Sequence, residues 1–177
     1  MEITQAQKDV RQTFIGGFVG QLVSAALWGA SAAACTWHSF RMGEIILVLG
    51  GFFIFPLTQL LLRLAGHAYA LPKGHPMNAL GIQVAFTVGL AVPVMIGIAA
   101  LHPAWFYPAC MILVGAHYLP FVFMYGMPQF AGLCAALVAG GVAIGMYVPR
   151  PLSIGAWLTA AILFLFAFVG RHVARRG

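Results

Sequence analysis

The side chains with chemistry to offer sit inside apolar runs: Gln21, Gln59, Gln83, His117 and Tyr118. His117 is the most informative. A neutral imidazole donates one hydrogen bond and accepts one, and its charge changes near neutral pH. With the Tyr118 hydroxyl and three amides, it could orient a small polar group or move a proton. The same residues could also do no more than tie helices together, at about 0.6 kcal/mol per bond in a membrane interior. Cys110, Val114, Phe121 and Met124 fall one or two helical turns from His117 on its face.

Other chemistries lack their residues. No Asp or Glu lies midway along an apolar run, so the acidic proton relays and sodium sites of driven transporters have no candidate. Glu44, the one acid beyond the N-terminal tail, follows Arg41 by three residues. The two make either a local i, i+3 pair or an outer entrance that attracts cations. His38, His67, His75, His102 and His172 stand at run ends or in connections, without the spacing or neighbouring carboxylates of a metal site. Cys35, Cys110 and Cys134 give neither a disulfide framework nor a zinc pattern, and read as small apolar residues. There is no G-x-S-x-G, no phosphate-cradling loop and no lysine inside a run. We therefore expect no metal, no cofactor and no catalytic residues of a familiar kind.

These residues are positioned by an all-α polytopic framework. The hydrophobic share is 62% and the charged share 7%, far from the roughly 45–50% and 25% of soluble domains. Apolar runs extend over about 14–36, 42–62, 79–101, 105–125, 130–148 and 152–170. Each matches the roughly 20 residues that a helix needs to cross about 30 Å of hydrocarbon. This predicts six transmembrane helices in one domain over 1–177, with the N-terminal run an uncleaved first span. His117 is near the middle of the fourth.

The net charge of +6 is carried by residues in ones and twos beside the spans, which argues for membrane orientation and against nucleic acid. Seven of the nine Lys and Arg fall on one side: Lys8, Arg11, Arg63, Lys73, Arg171, Arg175 and Arg176. The positive-inside rule then places both termini in the cytoplasm of a cell whose inner membrane holds the protein. Trp37, Trp105 and Tyr147 become outer interfacial anchors, with Tyr125 an inner one.

Small residues recur every fourth position in the first, third and fifth spans, including Gly16 and Gly20, Gly81 and Gly89, and Gly132 and Gly140. Such series let helices approach closely in lipid, so we expect these spans inside. The second, fourth and sixth carry the phenylalanines and are expected outside. Gly51 precedes Pro56 by five residues, as Gly115 precedes Pro120, an echo compatible with three related helical hairpins. Pro56, Pro93 and Pro120 each remove a helical hydrogen bond within a span, which opens space.

The stretch Gly115 to Phe130, GAHYLPFVFMYGMPQF, resembles a group of small uncharacterised six-span bacterial membrane proteins; the resemblance brings no activity with it. From the residues themselves the first expectation is passive or facilitated permeation of a small solute or ion, through a vestibule lined by Gln21, Gln59, Gln83, His117 and Tyr118. The alternatives are an intramembrane enzyme or binding protein for a lipid or isoprenoid, and a structural or accessory subunit. The bilayer is the first partner, and a homo-oligomer is compatible with the glycine-lined faces.

Overall fold

The apolar runs are helices. The computed structural model describes residues 2–148 and 150–176, and every regular element among them is helical. The eight α-helices are α1 (Ile3–Thr13), α2 (Phe18–Trp37), α3 (Phe40–Gly51), α4 (Ile54–Leu64), α5 (Pro76–Leu101), α6 (Phe106–Tyr125), α7 (Gln129–Tyr147) and α8 (Ile154–Ala174). With their short 3-10 extensions, α2, α5, α6, α7 and α8 are each long and apolar enough to cross a membrane. The pair α3 and α4, bent by 59° at its break, supplies a sixth crossing if it forms one span. This is an all-α, multi-pass membrane protein.

The break between α3 and α4 has a local cause. Gly50 and Gly51 are poor helix residues, and the chain tightens there through bonds from Phe52 N to Leu49 O and from Phe53 N to Gly50 O. Pro56 has no N–H to return to the Phe52 carbonyl four residues earlier. The other half of the Gly–Pro echo behaves differently: α6 runs unbroken through Pro120, and Gly115 is buried against Leu137 and the Cys134 carbonyl of α7.

The expected inside and outside arrangement requires correction. α6, predicted to be an outer helix, is the hub of the fold, packed against α7, α5, α8 and α1. Its buried residues include Phe106, Tyr107, Met111, Tyr118 and Tyr125. α5, predicted to be inside, is the most exposed span, with Ile82, Phe86, Leu90 and Val94 all facing outward. Gly89 and Gly97 of α5 have no atom within 4 Å of where a Cβ would stand. The four-residue repeat of small residues signals that close packing is permitted; it does not say whether a partner is present. α8 divides along its axis: Ala156, Thr159, Leu163 and Ala167 are buried while Phe164 and Phe168 face out.

Glycine does bring backbones together elsewhere. A Cβ on Gly16 would stand 2.6 Å from the Gly170 carbonyl oxygen, and one on Gly141 would stand 2.8 Å from that of Pro108. The first contact puts the N-terminal segment beside the end of α8, so both termini share one end of the bundle. At the opposite end of α2, Ser31 Oγ donates to the Gly43 carbonyl at 2.8 Å and shares a 2.8 Å bond with the Tyr107 hydroxyl, tying α2, α3 and α6 together. Trp37 and Tyr147 are exposed, whereas Tyr125, expected as an inner anchor, is 5% exposed and belongs to the core.

The helix α1 has no counterpart among the expected spans. Ile3, Ala6, Val10 and Thr13 recur with a helical period that the polar residues between them obscure, and Ala6, Val10 and Thr13 are buried. It is set off from α2 by three successive residues of positive φ: Ile15 at 50°, Gly16 at 63° and Gly17 at 81°. Gly16 and Gly17 adopt this region without cost, whereas the β-branched Ile15 is strained in it.

Candidate functional site

Between α2, α4, α5 and α6 lies a cavity of about 460 Å³. Each wall is one helical face. From α2 and its N-cap come Gly17, Gly20, Gln21, Ser24 and Trp28; from α6 come Val114, His117, Tyr118, Phe121, Met124 and Tyr125. These spacings of three, four and seven are those of residues stacked along a single stripe. Ile54, Phe55 and Thr58 contribute from α4, and Met77, Asn78, Gly81, Ile82 and Phe86 from α5. The edge residues Phe55, Ile82 and Phe86 are 55%, 58% and 64% exposed, so the cavity is open on its flank between α4 and α5.

Glycines supply part of the volume. A Cβ at Gly20 would meet only Thr58, at 3.7 Å, one at Gly81 only Met124 Sδ, at 3.8 Å, and one at Gly51 nothing within 4 Å. Gly20 and Gly81 were expected at close helix contacts; they line open space instead. A Cβ on Gly132 would stand 3.7 Å from the Phe166 ring, and one on Gly140 would stand 2.7 Å from the methyl of Met111.

The end of the cavity on the side of the termini is covered. Val10 lines it from α1, Phe14 from the C-cap of that helix and Leu71 from the connection between α4 and α5. Gln7 Nε2 donates to the Phe123 carbonyl at 2.7 Å and an Arg11 guanidinium nitrogen to the Tyr125 carbonyl at 2.8 Å. The second satisfies a carbonyl that the last turn of α6 leaves open, and the first is an added bond to one that also accepts from Gly126 N. That turn ends in a Schellman arrangement, with Met127 N bonded to Val122 O, Gly126 N to Phe123 O, and Gly126 at φ 61°. The connection is fastened by Gln59 Nε2 to the Tyr69 carbonyl, at 3.3 Å, and Asn78 Nδ2 to the Pro72 carbonyl, at 2.9 Å. His75, expected to be solvated, is buried at the N-cap of α5. Its Nδ1 accepts from Met77 N at 3.2 Å, which leaves the proton on Nε2, 3.5 Å from Asp9 of α1.

Of the five polar residues picked out in the spans, three meet in this cavity: Gln21, His117 and Tyr118. Gln59 serves the connection, and Gln83 is exposed on the far side of α5. Val114, Phe121 and Met124 share the His117 face as expected, but Cys110 is buried outside the cavity. Glu44 is half-buried and Arg41 exposed on α3, and neither lines the cavity. Ser24 and Trp28 were missed; the signal available was their position on the Gln21 stripe, at three and seven residues.

The polar atoms face an aromatic wall. Phe130, at the start of α7, stacks on Tyr118 (centroids 6.1 Å apart, planes at 9°), and lies 5.5 Å from Phe121 and 5.0 Å from Tyr125. His117 rests 5.2 Å from the Phe121 ring and against the Val84 backbone of α5. The Tyr118 hydroxyl lies against Ser24. Gln21 is 3% exposed, and its Oε1 is buried without a hydrogen-bond partner, as is His117 Nδ1. Leaving such atoms unpaired costs about 1–3 kcal/mol each, which a molecule bearing a matching donor would offset. Among the described residues no three His, Cys, Asp or Glu side chains cluster as a metal site would require.

A family model described as a family of unknown function, DUF7010, matches residues 3–171. The chain belongs to that family. The match takes in every helix of the DUF7010 fold described above, α1 and nearly all of α8 included. No curated protein and no solved structure matches. In this DUF7010 member the cavity is the feature that bears on function.

Proposed function

We propose that this protein is a membrane-embedded binding protein for a chain-bearing apolar molecule of lipid or isoprenoid type, taken up sideways from the bilayer. The observation that carries the reading is the flank between α4 and α5, where Phe55, Ile82 and Phe86 both line the cavity and face outward. A water-soluble solute would need access from the aqueous faces, whereas on the side of the termini Val10, Phe14 and Leu71 cover the cavity. The size supports the same reading, since small-molecule sites run about 300–1,000 Å³ and are mostly apolar with a few placed polar groups. A solute pathway through the glutamines has less support, because Gln59 is engaged with the connection and Gln83 points away.

The test is chain binding in lipid nanodiscs, read by Trp28 fluorescence after Trp37, Trp105 and Trp157 are replaced by Phe. A prenyl-chain ligand carrying a quencher should reduce the Trp28 signal saturably. Gly81→Leu, which puts a side chain into the open space, should abolish the effect; Gly89→Leu, on the same helix but outside the cavity, should not. Equal quenching in all three proteins would mean that the chain reaches Trp28 by some other route, and the reading would fall.

A further inference from the structure

The tail of such a ligand gains little by leaving lipid for an apolar cavity, because both surroundings are hydrocarbon. Discrimination must then come from the head, and the chemistry of the head is written in the polar stripe. None of the residues lining the cavity is Asp, Glu, Lys or Arg. A phosphate, carboxylate or ammonium drawn in beside Gln21 would be buried without a counter-charge, which is costly. The buried unpartnered atoms of the cavity lining are of one kind. Gln21 Oε1 accepts and cannot donate; it is buried on the α2 wall with no partner. His117 Nδ1 is also unpartnered on the α6 wall, with its ring against the Val84 backbone. If the other ring nitrogen carries the proton toward that backbone, Nδ1 too is an acceptor. What these two buried atoms lack is a donor.

A hydroxyl supplies it. An O–H placed between α2 and α6 donates to one of these acceptors and can accept in turn from the Tyr118 or Ser24 hydroxyl, which lie against each other beside it. The rings of Tyr118 and Phe130, stacked on each other, and of Phe121, edge-on to both, offer polarisable surface to planar unsaturated carbons next to that hydroxyl. We propose, resting on the lateral-binding reading above, that the ligand is an uncharged lipid hydroxyl on an unsaturated chain, with Gln21 and His117 as the residues that select the hydroxyl.

Three probes with one tail test this: farnesol, its methyl ether, which keeps the oxygen but loses the donor, and its monophosphate, which adds charge. Affinities are measured in nanodiscs for the protein, for Gln21→Leu and for His117→Phe. Farnesol should bind the unmodified protein about tenfold more tightly than the ether, the expected effect of one hydrogen bond to a buried acceptor, and more tightly than the phosphate. Gln21→Leu should bring farnesol to the level of the ether while leaving the ether unchanged, which also shows that the variant is folded, and His117→Phe should act in the same direction. Equal binding of alcohol and ether, or tightest binding of the phosphate, would overturn the assignment of the head and leave lateral chain binding standing. Binding of none of the three would overturn both.

Discussion

Where α7 crosses α6, glycine lets two backbones touch; where α5 passes α2 and α4, glycine leaves a space. Gly141 and Gly115 belong to the first kind, where an added Cβ would stand 2.8 Å from the Pro108 carbonyl oxygen and 2.9 Å from the Leu137 Cβ, and Gly20, Gly51 and Gly81 to the second, with room around them. The contrast extends to whole helices. α6, α7, α8 and α2 form the packed part of the molecule, and α5 is held chiefly through α6. In a membrane, where lipid solvates apolar side chains as well as protein does, association rests on close packing and hydrogen bonds. A helix that forgoes close packing does so at some cost in stability, and here the result is a cavity reachable from the flank. Close packing and the cavity thus lie on different sides of the bundle.

The contrast can be broken by substitution. The largest effect is expected from Gly141→Leu, whose Cβ would meet the Pro108 carbonyl. It should cost about 3 kcal/mol or more, read as loss of monodisperse protein on size exclusion, while Gly81→Leu runs as the unmodified protein does. Equal behaviour of the two would erase the distinction between the flanks. Next comes Gly126→Ala, which forces an L side chain into φ 61° and against Gln7. A loss of about 1–2 kcal/mol is expected, together with faster hydrogen exchange over α1, whose anchors sit on that turn.

Gln21→Leu should go the other way. Removing a buried, unpaired acceptor should stabilise the ligand-free protein by about 1 kcal/mol, measured as a higher midpoint in thermal unfolding, and a lower midpoint would show that Gln21 is bonded after all. The smallest effect belongs to Gly89→Ala on the open face of α5. With no neighbour within 4 Å, it should raise stability by about 0.5–1 kcal/mol through helix propensity alone. A clear loss would mean that this face is packed against something in the membrane.

Hydrophobicity along the chain determined the helices, because a run of about 20 apolar residues can satisfy its backbone in lipid only as a helix. Hence the helices, the turns between them, and the place of His117 within α6 were legible from residue order. The break before Pro56 was signalled by Gly50, Gly51 and the proline. Helical period alone placed Val114, Phe121 and Met124 on the His117 face. α1 was obscured because its apolar positions are few and its polar residues many.

What residue order does not carry is which face of each helix finds a partner. Gly81 and Gly141 look alike in sequence, as do Gln21 and Gln83, yet one of each pair faces the cavity and the other does not. That difference arises from how distant helices rotate and tilt to pack, a property of all the contacts at once. Only the tertiary structure brought Gln21 of α2 and His117 of α6 to one cavity, put α5 at its open edge, and folded α1 over its end.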